Sequence, residues 1–398
     1  MIVMGLSSGT SVDGIDVAAA EFGLDGSRVW LRPLGHLEVG YSEGLRAAIL
    51  GALPPASTTL EVVTRIDTGI GQEFAAAARR GIAELAGGRA DLIVSHGQTV
   101  FHWISDGHAL GTLQLGQPAW IAELTGVPVL SDVRAGDIAA GGHGAPLASV
   151  FDVLLLGGRP GRTRAALNIG GIANVTVLPE QGDPVAFDTG PGNALIDAAV
   201  RRTSEEHYDA DGTRARRGTV DHALLAELLA EPYYAAPPPK STGKELFHPG
   251  YLPPPDRLDP DDLVATLTEL TARTIAGACA RHGVTEVIAS GGGVRNPALM
   301  DALRRNLGPA ELTTIDTLGV APEAKEAYLF ALLGFLTWHG VAATVPSCTG
   351  ARHRTIVGRL SPGAGPLRLP PPADTAPTRL SLLAHPEENA ACCAHPTS

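Results

Sequence analysis

The stretch Gly5-Leu6-Ser7-Ser8-Gly9-Thr10-Ser11-Val12-Asp13-Gly14-Ile15-Asp16-Val17-Ala18-Ala19-Ala20 decides how this chain is read. An apolar strand runs into a turn dense in glycine, hydroxyl and carboxylate groups, then returns to apolar residues. That order predicts a β-hairpin rather than a strand-to-helix phosphate loop. Such a hairpin brings backbone N–H groups up to a phosphate chain and leaves Asp13 or Asp16 to hold a metal ion. The design recurs half a chain later: Ala165–Ile169 is the strand, Gly170-Gly171 the turn, and Ile172–Leu178, with Asn174 in it, the returning strand. Two such hairpins predict two related lobes gripping one nucleotide. An ordinary hairpin also wants a turn glycine, so the pairing of the two carries the reading and neither turn does so alone.

The 398 residues suit two domains with cores of their own. Apolar residues make up 44% and aromatics 5%, an ordinary α/β composition with close, backbone-dominated packing. A formal charge of −12 and a pI near 5.5 lack the basic footprint of a nucleic-acid or anionic-membrane partner. A phosphorylated ligand therefore has to be held by local backbone and metal contacts. No stretch reaches the length of a membrane span and no basic-then-apolar leader opens the chain, so a cytoplasmic protein is expected. Cys279 falls in a helical pattern and reads as a core residue, while Cys392-Cys393 has no histidines at ligand spacing. Neither a disulfide framework nor a zinc site is supported.

Strand and helix patterns alternate. Glu61 to Leu85 reads as a helix, and Asp91–Val94 as a buried strand leading to the polar segment Ser95-His96-Gly97-Gln98-Thr99. A helix from Leu258 to His282 carries its own punctuation, with Asp259 as cap, Pro260 in the first turn and Gly283 as stop. Then come the strand Glu286–Ala289, the run Ser290-Gly291-Gly292-Gly293, a helix opened by Asn296-Pro297, and a last helix from Pro322 to near Gly340. Residues 233 to 255 form a proline-rich loop, and from Pro370 onward the chain reads as a weakly ordered tail.

Several fingerprints fail. Ser241-Thr242-Gly243-Lys244-Glu245 lacks the upstream glycine and following hydroxyl of a P-loop. Gly291 to Asn296 lacks the last glycine of the dinucleotide motif. His96, His102 and His108 have no further ligands at the right spacing, and no Gly-x-Ser-x-Gly occurs. The residues left to carry chemistry each have two readings. Asp188, where Val185-Ala186-Phe187 ends before Thr189-Gly190-Pro191-Gly192, is a general base or the cap of the next helix. Arg134 clamps an anionic group or pairs with Asp132 or Asp137. His96, Gln98 and Thr99 read sugar hydroxyls or satisfy their own loop. Glu323 and Glu326 share a helix N-terminus, where dipole complementarity alone would account for them.

Together, Gly5–Asp16, Ser95–Thr99, Gly116-Gln117-Pro118, Asp132–Asp137, Gly141–Leu147, Asn168–Asn174, Phe187–Asn193, Ser241–Glu245, Ser290–Gly293 and Glu323–Ala327 resemble the anhydro-N-acetylmuramic acid kinase family, in colinear order from residue 1 to about residue 365. The resemblance implies an α/β, two-lobed actin/hexokinase/Hsp70-like ATPase fold, that is, duplicated ribonuclease H-like domains with a central cleft. Lobe I would span 1–131 with 345–369 returning to it, lobe II 132–344, and the tail 370–398. It further implies a cytoplasmic homodimer that takes ATP, Mg²⁺ and a small anhydro-sugar, with no nucleic acid or membrane partner. The implied roles place Asp188 and Glu326 in catalysis and Arg134, His96, Gln98 and Thr99 on the sugar. Gly9, Thr10, Ser11, Val12, Asp13, Gly14, Ile15 and Asp16, with Gly170, Gly171 and Asn174, fall on the phosphates, Asp13 on the metal, and Gly291, Gly292 and Gly293 under adenosine. A chaperone-like ATPase of the same fold and a nucleotide-free glycosidase using Asp188 with Glu326 are the alternatives.

Overall fold

The computed structural model describes residues 1–9, 11–157, 161–243 and 246–383. Thr10, Lys244, Glu245 and the Cys392-Cys393 pair lie outside the described residues. The chain forms two compact units, Met1–Leu155 with Ala324–Ser398, and Leu156–Glu323.

In the first unit β1 (Ile2–Ser8), β2 (Gly14–Asp25) and β3 (Arg28–Gly40) form an antiparallel meander. β4 (Leu92–Ser105) and then β6 (Val129–Ser131) add parallel on the other side of β1. β5 (His108–Leu115) folds back on the outer half of β4. β1 is buried from Val3 to Ser8, as a central strand covered on both faces must be. One cover is the helix Leu60–Leu85, capped by the Thr59 side chain and burying Ile66, Ile70, Phe74, Ala77, Ala78 and Gly81 at helical spacing. The other is Lys325–Trp338, buried almost throughout. A Cβ on Gly5 would overlap the Ala327 carbonyl, so this glycine lets that helix lie directly on β1.

The second unit repeats the plan. β7 (Arg164–Ile169), β8 (Ile172–Leu178) and β9 (Val185–Pro191) form the meander, and β10 (Glu286–Ser290) and β11 (Glu311–Thr314) add parallel beyond β7. The order β11-β10-β7-β8-β9 reproduces β6-β4-β1-β2-β3 strand for strand, with the same parallel and antiparallel senses. The helix Pro260–Arg281 starts with Asp259 accepting from Asp261 N–H, and Gly283 follows its end at φ 63°. Asn296 caps Pro297–Leu307 by accepting from Leu299 N–H. Cys279 is buried in this unit's core.

Three expectations change. The units meet at 155/156 and 323/324 rather than at 131/132 and 344/345. Residues 132–155 stay with the first unit because buried Asp137 accepts from Thr349 Oγ1 at 2.8 Å, while His143 N–H donates to Thr349 O and Arg352 N–H to Ala140 O. The tail is ordered in part: β12 (Arg359–Ser361) pairs with β6, and β13 (Arg379–Leu382) pairs parallel with β3, burying Leu380. An exposed edge strand with free N–H and C=O groups accepts such a segment whatever its local pattern. Finally, β4 does not end at Val94 but runs through Ser95–Thr99, because β5 supplies its hydrogen-bond partner.

Candidate active site

The Gly9–Asp16 turn closes β1 onto β2 with Ser7 opposite Asp16. At its centre Val12 sits at φ 57°, a strained conformation for a β-branched residue that costs about 1–3 kcal/mol. Its side chain is fully buried, its N–H donates to Gly9 O at 3.2 Å, and its carbonyl accepts from Arg46 Nε at 2.9 Å. Ile15 is likewise buried, so both residues offer a ligand only backbone. Asp13 is exposed, with Arg46 Nη2 at 3.5 Å, and Asp16 lies in β2 between Ser7 and Glu38. Among the described residues no group of three His, Cys, Asp or Glu side chains is arranged around a common point for a metal.

Gln98 departs from its expected role. It is fully buried, with Oε1 accepting from Ser8 Oγ at 2.7 Å and Tyr41 OH at 3.3 Å, and Nε2 donating to the Gly9 and Thr99 carbonyls at 3.1 and 3.2 Å. Both ends of the amide are committed to fixing the Gly9 turn, which leaves nothing to read a sugar hydroxyl.

His96 and Arg134 are brought together, Arg134 Nε donating to His96 Nε2 at 2.9 Å and Nη1 to Gly144 O at 2.7 Å. The alternative ion pairs are not formed: Asp132 pairs with Arg359 at 2.8 Å, and Asp137 accepts from Gly144 N–H at 2.9 Å. His96 is 4% exposed and its ring stacks on Phe330, centroids 4.5 Å apart. Burial, and then the Arg134 charge, hold its pKa well below the ordinary imidazole value, against a small opposing pull from the Gly97 backbone. Protein around Glu326 raises its carboxyl pKa, and the charges of Arg134 and Lys325 oppose this; water still reaches the side chain, which tempers the shift. Thr99 Oγ1 accepts from Gln114 Nε2 at 3.1 Å. A cavity of about 500 Å³ opens beside these groups, lined among others by Ser95, His96, Gln114, Gln117 and Asp132. The Ser95 hydroxyl is buried with no hydrogen-bond partner. Ser95 entered the sequence reading only as part of the polar segment Ser95–Thr99, and Gln117 only within Gly116-Gln117-Pro118, without a role of their own.

In the second unit, register sets four polar residues in one row across neighbouring strands: Ser290 opposite Asn168, Asn168 opposite Asn174, Asn174 opposite Asp188. Laterally paired residues share a face of the sheet and stand about 5 Å apart. Asp188 lies within β9 and not at its end. Its Oδ2 accepts from Thr242 N–H at 2.8 Å and its carbonyl from Tyr233 OH at 2.9 Å. The next helix, Ala194–Thr203, starts at Asn193 with no side-chain cap, so Asp188 is not a helix cap. Asn168 was missed: a two-residue turn at Gly170-Gly171 would set 168 opposite 173, whereas the structure pairs Ile169 with Ala173 and Asn168 with Asn174.

The glycines separate by cause. The Gly170 carbonyl accepts from Asn193 N–H at 2.8 Å, and the Gly171 carbonyl from Gly192 and Ala194 N–H at 2.9 and 3.0 Å. Gly170 and Gly171 nevertheless have room for a Cβ, with nearest atoms at 3.5 and 3.9 Å, as does Gly9 at 3.6 Å. None of the three has positive φ. No internal contact explains the missing side chains there, which fits a ligand approaching the backbone. Gly291 and Gly293 differ: Cβ atoms on them would collide with Asn168 and Ile169. Only Gly292 of that run faces open space, and it lines a cavity of about 470 Å³ with Asn193, Asp197, Tyr208, Arg295 and Asn296. Burial raises the Asp197 pKa to about 6, against Arg201 and aided by Asp209.

A five-strand order of one topology, present in both sheets and each time with a glycine turn after its first strand, defines the class of two-lobed actin/hexokinase/Hsp70-like ATPases. The family model for anhydro-N-acetylmuramic acid kinase matches residues 1–363. The chain belongs to the anhydro-N-acetylmuramic acid kinase family. It is 57% identical to the anhydro-N-acetylmuramic acid kinase of Streptomyces avermitilis, over 96% of this chain and 100% of that one. To those of Streptomyces coelicolor and Rhodococcus erythropolis it is 53% and 54% identical, over 97% and 92% of this chain and 100% and 95% of theirs. Among solved structures it is similar to an activator of 2-hydroxyisocaproyl-CoA dehydratase from Clostridium difficile, at 15% identity over 84% of this chain and 94% of that one. The TM-score is 0.42.

Proposed function

We propose that this chain is an ATP-dependent sugar kinase that acts on 1,6-anhydro-N-acetylmuramic acid in the recycling of cell-wall sugars. Water adds at C1, the C1–O6 bond breaks, and O6 takes the γ-phosphoryl group, giving N-acetylmuramic acid 6-phosphate and ADP. The observation that carries the reading, within the family, is the row that aligns Asp188 with Asn174 and Asn168 beside the Gly170-Gly171 turn. Asp188 takes the proton of the attacking water, its orientation held by Thr242 N–H. Glu326 assists that water, and Arg134 receives the carboxylate of the sugar acid. Gly9, Gly170 and Gly171 admit the phosphates to the backbone, and Gly292 admits the nucleoside.

Asp13 and Asp16 fit Mg²⁺, which keeps several waters and needs only one or two carboxylates beside the phosphates; Asp13 is exposed, and its contact to Arg46 is long, at 3.5 Å. The ion neutralises charge on the transferring phosphoryl group. Among the described residues no helix is long and apolar enough to cross a membrane. We place the enzyme in the cytoplasm, where ATP is supplied. We also propose a homodimer, supported by Phe101, Trp103, Ile104, Leu110 and Leu113, which are 44–51% exposed on the β4–β5 hairpin. A chaperone-like ATPase is not favoured, given the family.

The test is incubation of the anhydro-sugar in ¹⁸O-water with and without ATP, followed by mass spectrometry. A phosphorylated product carrying one ¹⁸O at C1, formed only with ATP, is expected. Equal ring opening without ATP would point to a glycosidase, and ATP turnover indifferent to the sugar would point to an ATPase.

A further inference from the structure

His96 sits where a reader of the sugar was expected, yet it is 4% exposed and its Nε2 is already engaged. We propose that His96 is a positioning residue: it grips Arg134 by the Nε edge and so fixes which guanidinium N–H groups are offered to the carboxylate of the sugar acid. The inference rests on the reading of Arg134 as the carboxylate clamp.

A guanidinium has five donors and no acceptor, so the 2.9 Å contact from Arg134 Nε requires a lone pair on His96 Nε2. A neutral ring must then carry its proton on Nδ1, and that atom is buried with no partner of good geometry. The ring is set from its face as well. It stacks on Phe330, which lies one helical turn beyond Glu326 on Lys325–Trp338, the same helix that brings the Glu326 charge to bear on Arg134. A ring held between a stacked phenyl group and a guanidinium has one orientation available. Gly144 O takes one Nη1 hydrogen at 2.7 Å. Nε and one Nη1 hydrogen being occupied, three N–H groups remain, one on Nη1 and two on Nη2, and it is from these that a carboxylate can accept. Without His96 the long side chain regains rotamer freedom, which must be lost again at each binding event.

The test is steady-state kinetics on the full chain, with 1,6-anhydro-N-acetylmuramic acid and with 1,6-anhydro-N-acetylglucosamine, which lacks the lactyl carboxylate. His96→Phe keeps the stack and removes the acceptor. It should raise KM for the sugar acid roughly ten- to hundredfold, leave KM for ATP unchanged, and leave the neutral analogue unaffected. His96→Asn restores an acceptor and should recover part of the loss. In an Arg134→Ala background, His96→Phe should add nothing. If His96→Phe leaves the sugar-acid KM unchanged, or raises it equally with Arg134 absent, the proposal is overturned. If Arg134→Ala itself leaves that KM unchanged, the clamp reading has failed instead. A measurement needing no variant is ¹⁵N NMR of histidine-labelled protein: a ring protonated at Nδ1 and bare at Nε2 is expected, and an Nε2–H tautomer refutes the contact.

Discussion

Alanine at Gly293 and alanine at Gly292 should have opposite consequences, although the residues are neighbours in one short turn. A Cβ on Gly293 would overlap Ile169 Cγ2, lie 2.7 Å from Ile169 Cβ and 3.1 Å from its carbonyl oxygen, and Ile169 is fully buried and unable to retreat. Overpacking of this kind costs about 1–3 kcal/mol, and at about 2–4 °C per kcal/mol for a unit of this size the Tm should fall measurably. Gly292 has no heavy atom within 4 Å of the added methyl and its φ is not positive, so stability should hold to about 0.5 kcal/mol. That methyl projects into the 470 Å³ cavity where we place the nucleoside. A methyl group set against a bound ligand changes affinity by about 1–3 kcal/mol, or roughly tenfold and more. Scanning calorimetry gives the first quantity and isothermal titration with ATP the second. If Gly292→Ala binds ATP as tightly as the parent, the nucleoside does not pack there. If Gly293→Ala keeps its Tm, the close approach to β7 is not what requires glycine.

Asp188→Asn retains an acceptor for Thr242 N–H but cannot take a proton, so kcat should fall by about 10²–10⁴ while ATP affinity stays; loss of ATP binding in titration would make the residue structural. Asp197 provides a pH test. Its folded pKa, about 6, lies above the ordinary 3.8, so the native state prefers the protonated carboxyl, and that preference is lost as pH rises through 6. Asp197→Asn should therefore gain about 1–2 kcal/mol at pH 7.5, discounted for partial exposure, and nothing at pH 4; urea unfolding at both values decides, and an equal gain at both refutes the cause. Lys325 and Asp152 form a 2.6 Å ion pair with side chains only 10% and 5% exposed. Lys325→Met alone should cost about 3–5 kcal/mol and Lys325→Met with Asp152→Leu markedly less; a double-variant loss equal to the sum of the two single losses would show that the pair is not coupled.

Both hairpins, the caps at Asp259 and Asn296 and the buried Cys279 were legible because each depends on residues adjacent in the chain: alternation makes the strand, a side-chain oxygen makes the cap. The Asn168–Asn174–Asp188 row was out of reach: a two-residue turn at Gly170-Gly171 would set 168 opposite 173, and the pairing with Asp188 follows a register shift between Ala173 and Asn174. The ends of β4, the unit boundaries and β13 were not legible either, because their hydrogen bonds come from segments remote in sequence. At the site, sequence alone determined which residue types gather near the glycine turns. Tertiary structure decided what each is free to do: Gln98 and His96 look like polar ligand readers until folding places Gly9, Ser8 and Arg134 against them. A polar group can satisfy its donors and acceptors internally or offer them to a ligand, and only the completed set of neighbours determines which.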